Sequence, residues 1–274
     1  MTVQPDNTAN FSVSTQPPAI LVRGLSFRYR AFDDEPGGNK KAPIAEATEN
    51  AEQAPAVEDI SFTLPAGELM LIAGPSGCGK STLLKCLNGL IPHSYKGTLT
   101  GEIEIAGRST KGLNLRDLAH SIGTMLQDPD KQILGTTVEQ EVAFGLENLN
   151  TPRPEMRRKI AEVLQRLRLE KYAKRATFAL SGGQRQQVAA AGLLVMQPSI
   201  FLFDEPFANL DSRAVDELEE LITALRAEGR TVVIVEHRVE EALHLHPDKV
   251  LLMKDGRQVF SGTAQEFLAI ADPT

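Results

Sequence analysis

The chain has 274 residues, 42% of them hydrophobic, enough to bury a core in one large α/β domain or two smaller units; this excludes a fibrous or wholly disordered protein. A formal net charge of −7 argues against general affinity for nucleic acid, which needs a concentrated basic surface. No apolar run approaches a membrane span of about 18 residues, and the opening "MTVQPDNTAN" lacks the regions of a signal peptide, so the chain is expected in the cytosol.

Residues 1–18 are polar, hold three prolines and show no apolar period, which predicts a flexible tail. Order is expected to begin at Ala19-Ile20-Leu21-Val22. The stretch 31–56, "AFDDEPGGNKKAPIAEATENAEQAPA", is poor in large apolar groups and reads as a long mobile loop between two strands. Beyond it, "VEDISFTL" and "ELMLIAG" read as strands, a helix follows from Lys80 to about Leu90, and "GEIEIAG" reads as a strand. A charged helix is predicted from Pro154 to about Leu169, then the strand "SIFLFDEP", a helix from Ser212 to Ala227, and the strands "TVVIVEH" and "KVLLMKDG". Strands alternating with helices predict an α/β fold built on a sheet. In the Ser212 helix, Val215, Leu218, Leu221, Ile222 and Leu225 share one face, as in a helix packed on that sheet. No internal repeat is visible, so a single nucleotide-binding domain is expected.

The stretch Gly74-Pro75-Ser76-Gly77-Cys78-Gly79-Lys80-Ser81-Thr82 fits the phosphate-binding pattern G-x-x-x-x-G-K-[ST], with an apolar strand before it and a helix-forming run after it. Glycines let backbone N–H groups curve round a phosphate, Lys80 can reach the β- and γ-phosphates, and the Ser81 hydroxyl can ligate Mg²⁺. Cys78 and Cys86 would lie about 12 Å apart along the following helix, too far for a disulfide. Further on, "FLFDEP" ends a strand in two carboxylates. Alternation along a strand would turn Asp204 towards the metal ion and Glu205 towards an attacking water as general base. "LSGGQ", with Ser181, Gly182, Gly183 and Gln184, sets a hydroxyl and two glycines before a helix, which makes a second anion-binding helix N-terminus or a helix simply capped by Ser181.

With these motifs in this order, the chain from Ile20 to Leu268 resembles the ATP-binding subunits of ABC transporters. The resemblance implies a P-loop NTPase domain over 19–270, with a RecA-like core, an antiparallel β subdomain and a helical signature subdomain at about 128–185. It implies ATP and Mg²⁺ as ligands, and two domains packed head to tail so that Ser181 to Gln184 of one cap the nucleotide on the other. By the same resemblance Tyr29 stacks on adenine, Gln127 touches the metal and the water, Asp211 crosses the dimer interface, and His237 contacts the γ-phosphate and orients Glu205.

The segment "QDPDKQILGTTVEQEVAFGLEN" is similar to that of energy-coupling-factor importers. This implies a transmembrane coupling subunit received at Gln127, Asp128 and Asp130, a substrate-capture membrane subunit, a second ATPase subunit that is the same or related, and a place on the cytoplasmic face of the membrane. Residues 128–130 can equally begin a helix, where proline and acids are favoured. The importer pattern more often has asparagine at position 128, and "PFANLD" also departs from its commoner form. The alternative is a soluble ABC ATPase acting on ribosomes, DNA or iron–sulfur assembly, although this chain has neither a second cassette nor a long coiled-coil insertion.

Overall fold

The protein is described by a computed structural model covering residues 17–30, 54–208 and 210–271. The expected tail, up to residue 16, and the expected loop, from 31 to 53, lie outside the described residues.

Ten strands form one sheet of order β5-β4-β1-β2-β10-β9-β3-β8-β7-β6. They are β1 (Ile20–Tyr29), β2 (Val57–Leu64), β3 (Leu69–Ala73), β4 (Gly97–Ile105), β5 (Arg108–Ser109), β6 (Ile122–Met125), β7 (Ile200–Asp204), β8 (Thr231–Glu236), β9 (Lys249–Lys254) and β10 (Arg257–Thr263). At one end β1 pairs antiparallel with both β2 and β4. At the other, β9, β3, β8, β7 and β6 run parallel. A parallel strand is covered on both faces and therefore reads as a continuous apolar run; all five residues of β3 and all six of β8 are buried. β4 has its buried residues on alternate positions near its end, Ile103 and Ile105. The two halves meet at one parallel pair, Arg257 with Glu58, where the guanidinium also donates to both carboxylate oxygens at 3.1 and 2.8 Å.

The helices are α1 (Lys80–Leu87), α2 (Leu90–His93), α3 (Leu115–Ala119), α4 (Val138–Asn148), α5 (Arg153–Arg166), α6 (Gly182–Leu194), α7 (Ser212–Ala227), α8 (Val239–Leu243) and α9 (Ala264–Ala271). The run expected as one helix to about Leu90 breaks after Leu87, because Gly89 adopts φ 78 and a Cβ there would meet Leu118 at 2.3 Å. The charged helix ends three residues short of expectation, where Arg168 takes φ 57 without a glycine to mark the stop. α7 buries Leu218, Ile222 and Leu225 against the sheet, with Val215 and Leu221 partly covered beside them, as its pattern requires.

A separate apolar cluster holds α4, α5 and α6 together through Val138, Val142, Leu146, Ile160, Leu164 and Val188. α4 is entered through a capping box in which Thr137 and Gln140 satisfy each other's backbone N–H groups. The parallel strands β3, β7 and β8 all end on one side, where open α/β sheets bind ligands, and the candidate residues Ser81, Asp204, Glu205 and His237 lie there.

Candidate functional site

The loop leaving β3 is shaped for a phosphate. Gly74, Gly77 and Gly79 have φ of 148, 78 and 103. A Cβ at Gly74 would lie 2.2 Å from the Met253 carbonyl oxygen, and one at Gly79 would lie 2.3 Å from that of Ala56, so no side chain fits at either position. α1 has Gly79 as its N-cap, with no side-chain cap and no acid in its first turn, so its N-terminal N–H groups and positive field are left for an anion. Lys80 is buried, its ammonium donating to the carbonyls of Gly74 at 2.7 Å and Pro75 at 3.0 Å. Cys78, within the loop, is buried, and burial pushes the Cys86 thiol up to about 12.

Residues distant in sequence meet at the ends of β7 and β8. The Ser81 hydroxyl donates to Asp204 Oδ1 at 3.1 Å. Burial raises the Asp204 carboxyl above its usual range and the Ser81 hydrogen bond pulls it back, so the pair offers a cation two oxygens, one of them poorly solvated. Gln127 Nε2 donates to Glu205 Oε2 at 2.9 Å, and His237 Nδ1 lies 3.5 Å from the same oxygen. Strand alternation does not orient Glu205, contrary to the sequence reading. β7 ends at Asp204, and Glu205 turns away through a left-handed backbone, φ 48, with its N–H bonded to the Val235 carbonyl at 2.9 Å.

Tyr29 places its hydroxyl 3.2 Å from Thr82 Oγ1, beside the first turn of α1, with its ring edge-on to Phe27 and Tyr95. Tyr95, which the sequence reading missed, is partly exposed beneath the Lys85 ammonium, 4.5 Å from its ring. Glu236 was missed as well. It is 1% exposed, and burial raises its carboxyl while hydrogen bonds from backbone N–H groups of Phe207 and His237 oppose the shift.

The second anion element lies elsewhere. Ser181 caps α6, its hydroxyl accepting from the Gln184 N–H while the Gln184 side chain accepts from the Ser181 N–H. Ser181, Gly182, Gly183, Gln184 and Asp211 line a cavity of about 1120 Å³ whose walls include no residue of the phosphate loop. Among the described residues, this cavity and the phosphate loop are thus separate places on the chain. Asp211 caps α7 through the Ala214 N–H at 2.8 Å. The segment after Gln127 forms a 3₁₀ turn, Pro129–Lys131, capped by Asp128, so those residues do begin a short helix. Asp130 is paired with Arg185 of α6 at 2.5 Å, which ties the glutamine segment to the signature helix.

The ABC transporter family model matches residues 57–208, more than half of the chain, from β2 to just past Glu205. The chain belongs to the ABC transporter family. An ABC transporter ATP-binding protein of Bacillus thuringiensis is 45% identical over 216 residues, 78% of this chain and 38% of that protein. One of Vibrio vulnificus is 43% identical over 251 residues, 91% of this chain and 40% of that protein. The chain spans about two fifths of the length of these curated relatives, at 38% and 40%. Among solved structures, cbiO1 of Clostridium perfringens, described as part of the ABC transporter complex cbiONQ, superposes with a TM-score of 0.75 at 30% identity, covering 92% of this chain and 91% of that one. The chain thus has the ABC ATPase fold, of the α/β P-loop NTPase class, over the 92% of it that this superposition covers.

Proposed function

We propose that this chain hydrolyses ATP to drive a membrane transporter of the energy-coupling-factor type that takes up a vitamin or a transition-metal ion. The observation that carries the reading is the 2.9 Å hydrogen bond from Gln127 to Glu205, because it joins the segment expected to meet a membrane partner to the candidate general base. Residues 19–270 would act as one ATP-binding domain, with the helices around 128–185 as the part that moves. The complex named for cbiO1 supports the importer branch.

In this reading the phosphate loop and Lys80 hold the β- and γ-phosphates, and Tyr29 packs against adenine. Ser81, Asp204 and Gln127 would hold a magnesium ion, which when bound supplies positive charge to the phosphate oxygens. Glu205 accepts the proton of the attacking water, and His237, next to its carboxylate, orients it and donates to the γ-phosphate. Ser181, Gly182, Gly183 and Gln184 of a second chain, a copy of this one or a related subunit, would cap that phosphate, and Asp211 would cross the interface. Hydrolysis requires that dimer.

The coupling subunit would dock beside Gln127, Asp128 and Asp130. The same subdomain exposes large apolar side chains that a partner could cover: Leu134 and Phe178, 68% and 86% exposed, come just before and just after the residues of the bridge between Thr137 and Ala176. Among the described residues no helix is long and apolar enough to cross a membrane, so contact with the bilayer would come through that subunit, at the cytoplasmic face. Purification of the tagged chain from detergent-solubilised membranes tests the reading. Co-purification of an integral membrane coupling protein supports it, and a purely soluble partner would sink it in favour of a non-transport ATPase.

A further inference from the structure

The peptide unit joining Pro206 to Phe207 lies one residue past Glu205, and both of its polar groups are held by buried side chains. Its carbonyl oxygen accepts from Gln186 Nε2 at 3.1 Å, and its N–H donates to Glu236 Oε1 at 3.2 Å. The other oxygen of Glu236 accepts from the His237 N–H at 3.2 Å and lies 3.8 Å from His237 Nδ1. Neither side chain is explained by packing. Glu236 ends a strand whose other residues are Thr231, Val232, Val233, Ile234 and Val235, where an apolar residue would fill the space without desolvating a carboxylate. Gln186 is 9% exposed on α6, where apolar neighbours such as Val188 and Ala189 are buried without needing any polar partner.

A device of this kind has a physical use here. Glu205 holds a left-handed backbone that a non-glycine residue keeps only when its surroundings over-determine it. On its N-terminal side the Val235 carbonyl fixes it, and on its C-terminal side the clamped peptide does so. Gln186 also stands two residues beyond Gln184 of the signature stretch on the same helix. A shift of α6 is therefore delivered to the peptide next to Glu205.

We infer that Glu236 and Gln186 are positioning residues that clamp the Pro206–Phe207 peptide, fixing Glu205 against His237 and passing the position of the signature helix to it within one chain. The inference rests on the reading of Glu205 as general base.

The test measures MgATP hydrolysis by the full-length chain carrying Glu236→Gln, Gln186→Met or both, with Glu205→Gln in parallel. Glu236→Gln retains one acceptor oxygen but turns an N–H donor towards a second N–H. Gln186→Met keeps length and removes the donor to Pro206. Each single variant is expected to lower kcat about tenfold with KM for MgATP within about twofold, because the nucleotide cradle is untouched. The double variant should be little worse than the weaker single one, since both act on one peptide. Wild-type kcat in both variants overturns the clamp, as do a loss confined to KM, independent multiplicative losses in the double variant, or failure of both variants to fold. An inactive Glu205→Gln beside wild-type clamp variants removes the clamp alone. Normal turnover by Glu205→Gln removes the base reading beneath it.

Discussion

Glu141 lies in the first turns of α4, 6% exposed, and its Oε2 accepts the backbone N–H groups of Leu134 at 2.7 Å and Gly135 at 2.6 Å. The loop carrying those amides is pressed against the helix, since a Cβ on Gly135 would lie 2.4 Å from the Glu141 nitrogen. Glu141→Ala removes the acceptor of two short hydrogen bonds and leaves two partly buried donors with no other protein partner in place. Hydrogen bonds to a charged group contribute about 1.5–3 kcal/mol each, and entry of water recovers part of that, so the expected loss is about 2–4 kcal/mol. For a chain of this size it lowers Tm by about 5–12 °C. Glu141→Gln, which keeps the acceptor and loses the charge, should cost about 1 kcal/mol. Thermal and urea unfolding followed by circular dichroism measure both, and amide exchange at Leu134 and Gly135 localises the effect. If Glu141→Ala unfolds within about 0.5 kcal/mol of wild type, or those two amides keep their protection, the carboxylate is not what holds the loop.

Glu205→Gln should lower the ATPase rate by about 10²–10⁴, the contribution of a positioned general base, while binding ATP and accumulating as a closed dimer in size-exclusion chromatography. Near-normal turnover would remove Glu205 from that role. Tyr29→Ala should raise KM for ATP about tenfold or more from lost stacking, with Tyr29→Phe close to wild type; an unchanged KM in Tyr29→Ala places adenine elsewhere. Glu68 Oε2 has no hydrogen-bond partner among the described residues, and burial raises its carboxyl above the ordinary 4.5, with Asp248 adding to the rise and Lys249 and Arg226 opposing it. The folded state therefore holds the Glu68 proton more tightly than the unfolded state, and stability falls as pH climbs from 4.5 through the raised folded value. Glu68→Gln should remove that slope, measured by thermal melts across pH; an unchanged slope refutes the assignment.

The phosphate loop was legible because it is local chemistry: three glycines at positive φ, a lysine and a hydroxyl follow one apolar strand within nine residues. The wholly buried strands β3 and β8 and the apolar face of α7 were legible for the same reason, since their periods record what covers them. Helix ends were less so: Arg168 stops α5 in a left-handed conformation that no neighbouring glycine announces. What tertiary structure alone decided is which distant groups touch. Parallel pairing sets Asp204 beside Val235, and this register brings Glu205 to His237, whereas the turn out of β7, not strand alternation, aims its carboxylate. Gln127 reaches Glu205 across 78 positions, Arg185 reaches Asp130, and Glu236 with Gln186 grips a single peptide. Such contacts leave no local trace, because a hydrogen bond between residues far apart in sequence depends on how strands are ordered and helices are set against them. Sequence alone pointed to Ser81, Gln127, Asp204, Glu205 and His237 as candidate site residues, and the order of strands in the sheet made them neighbours.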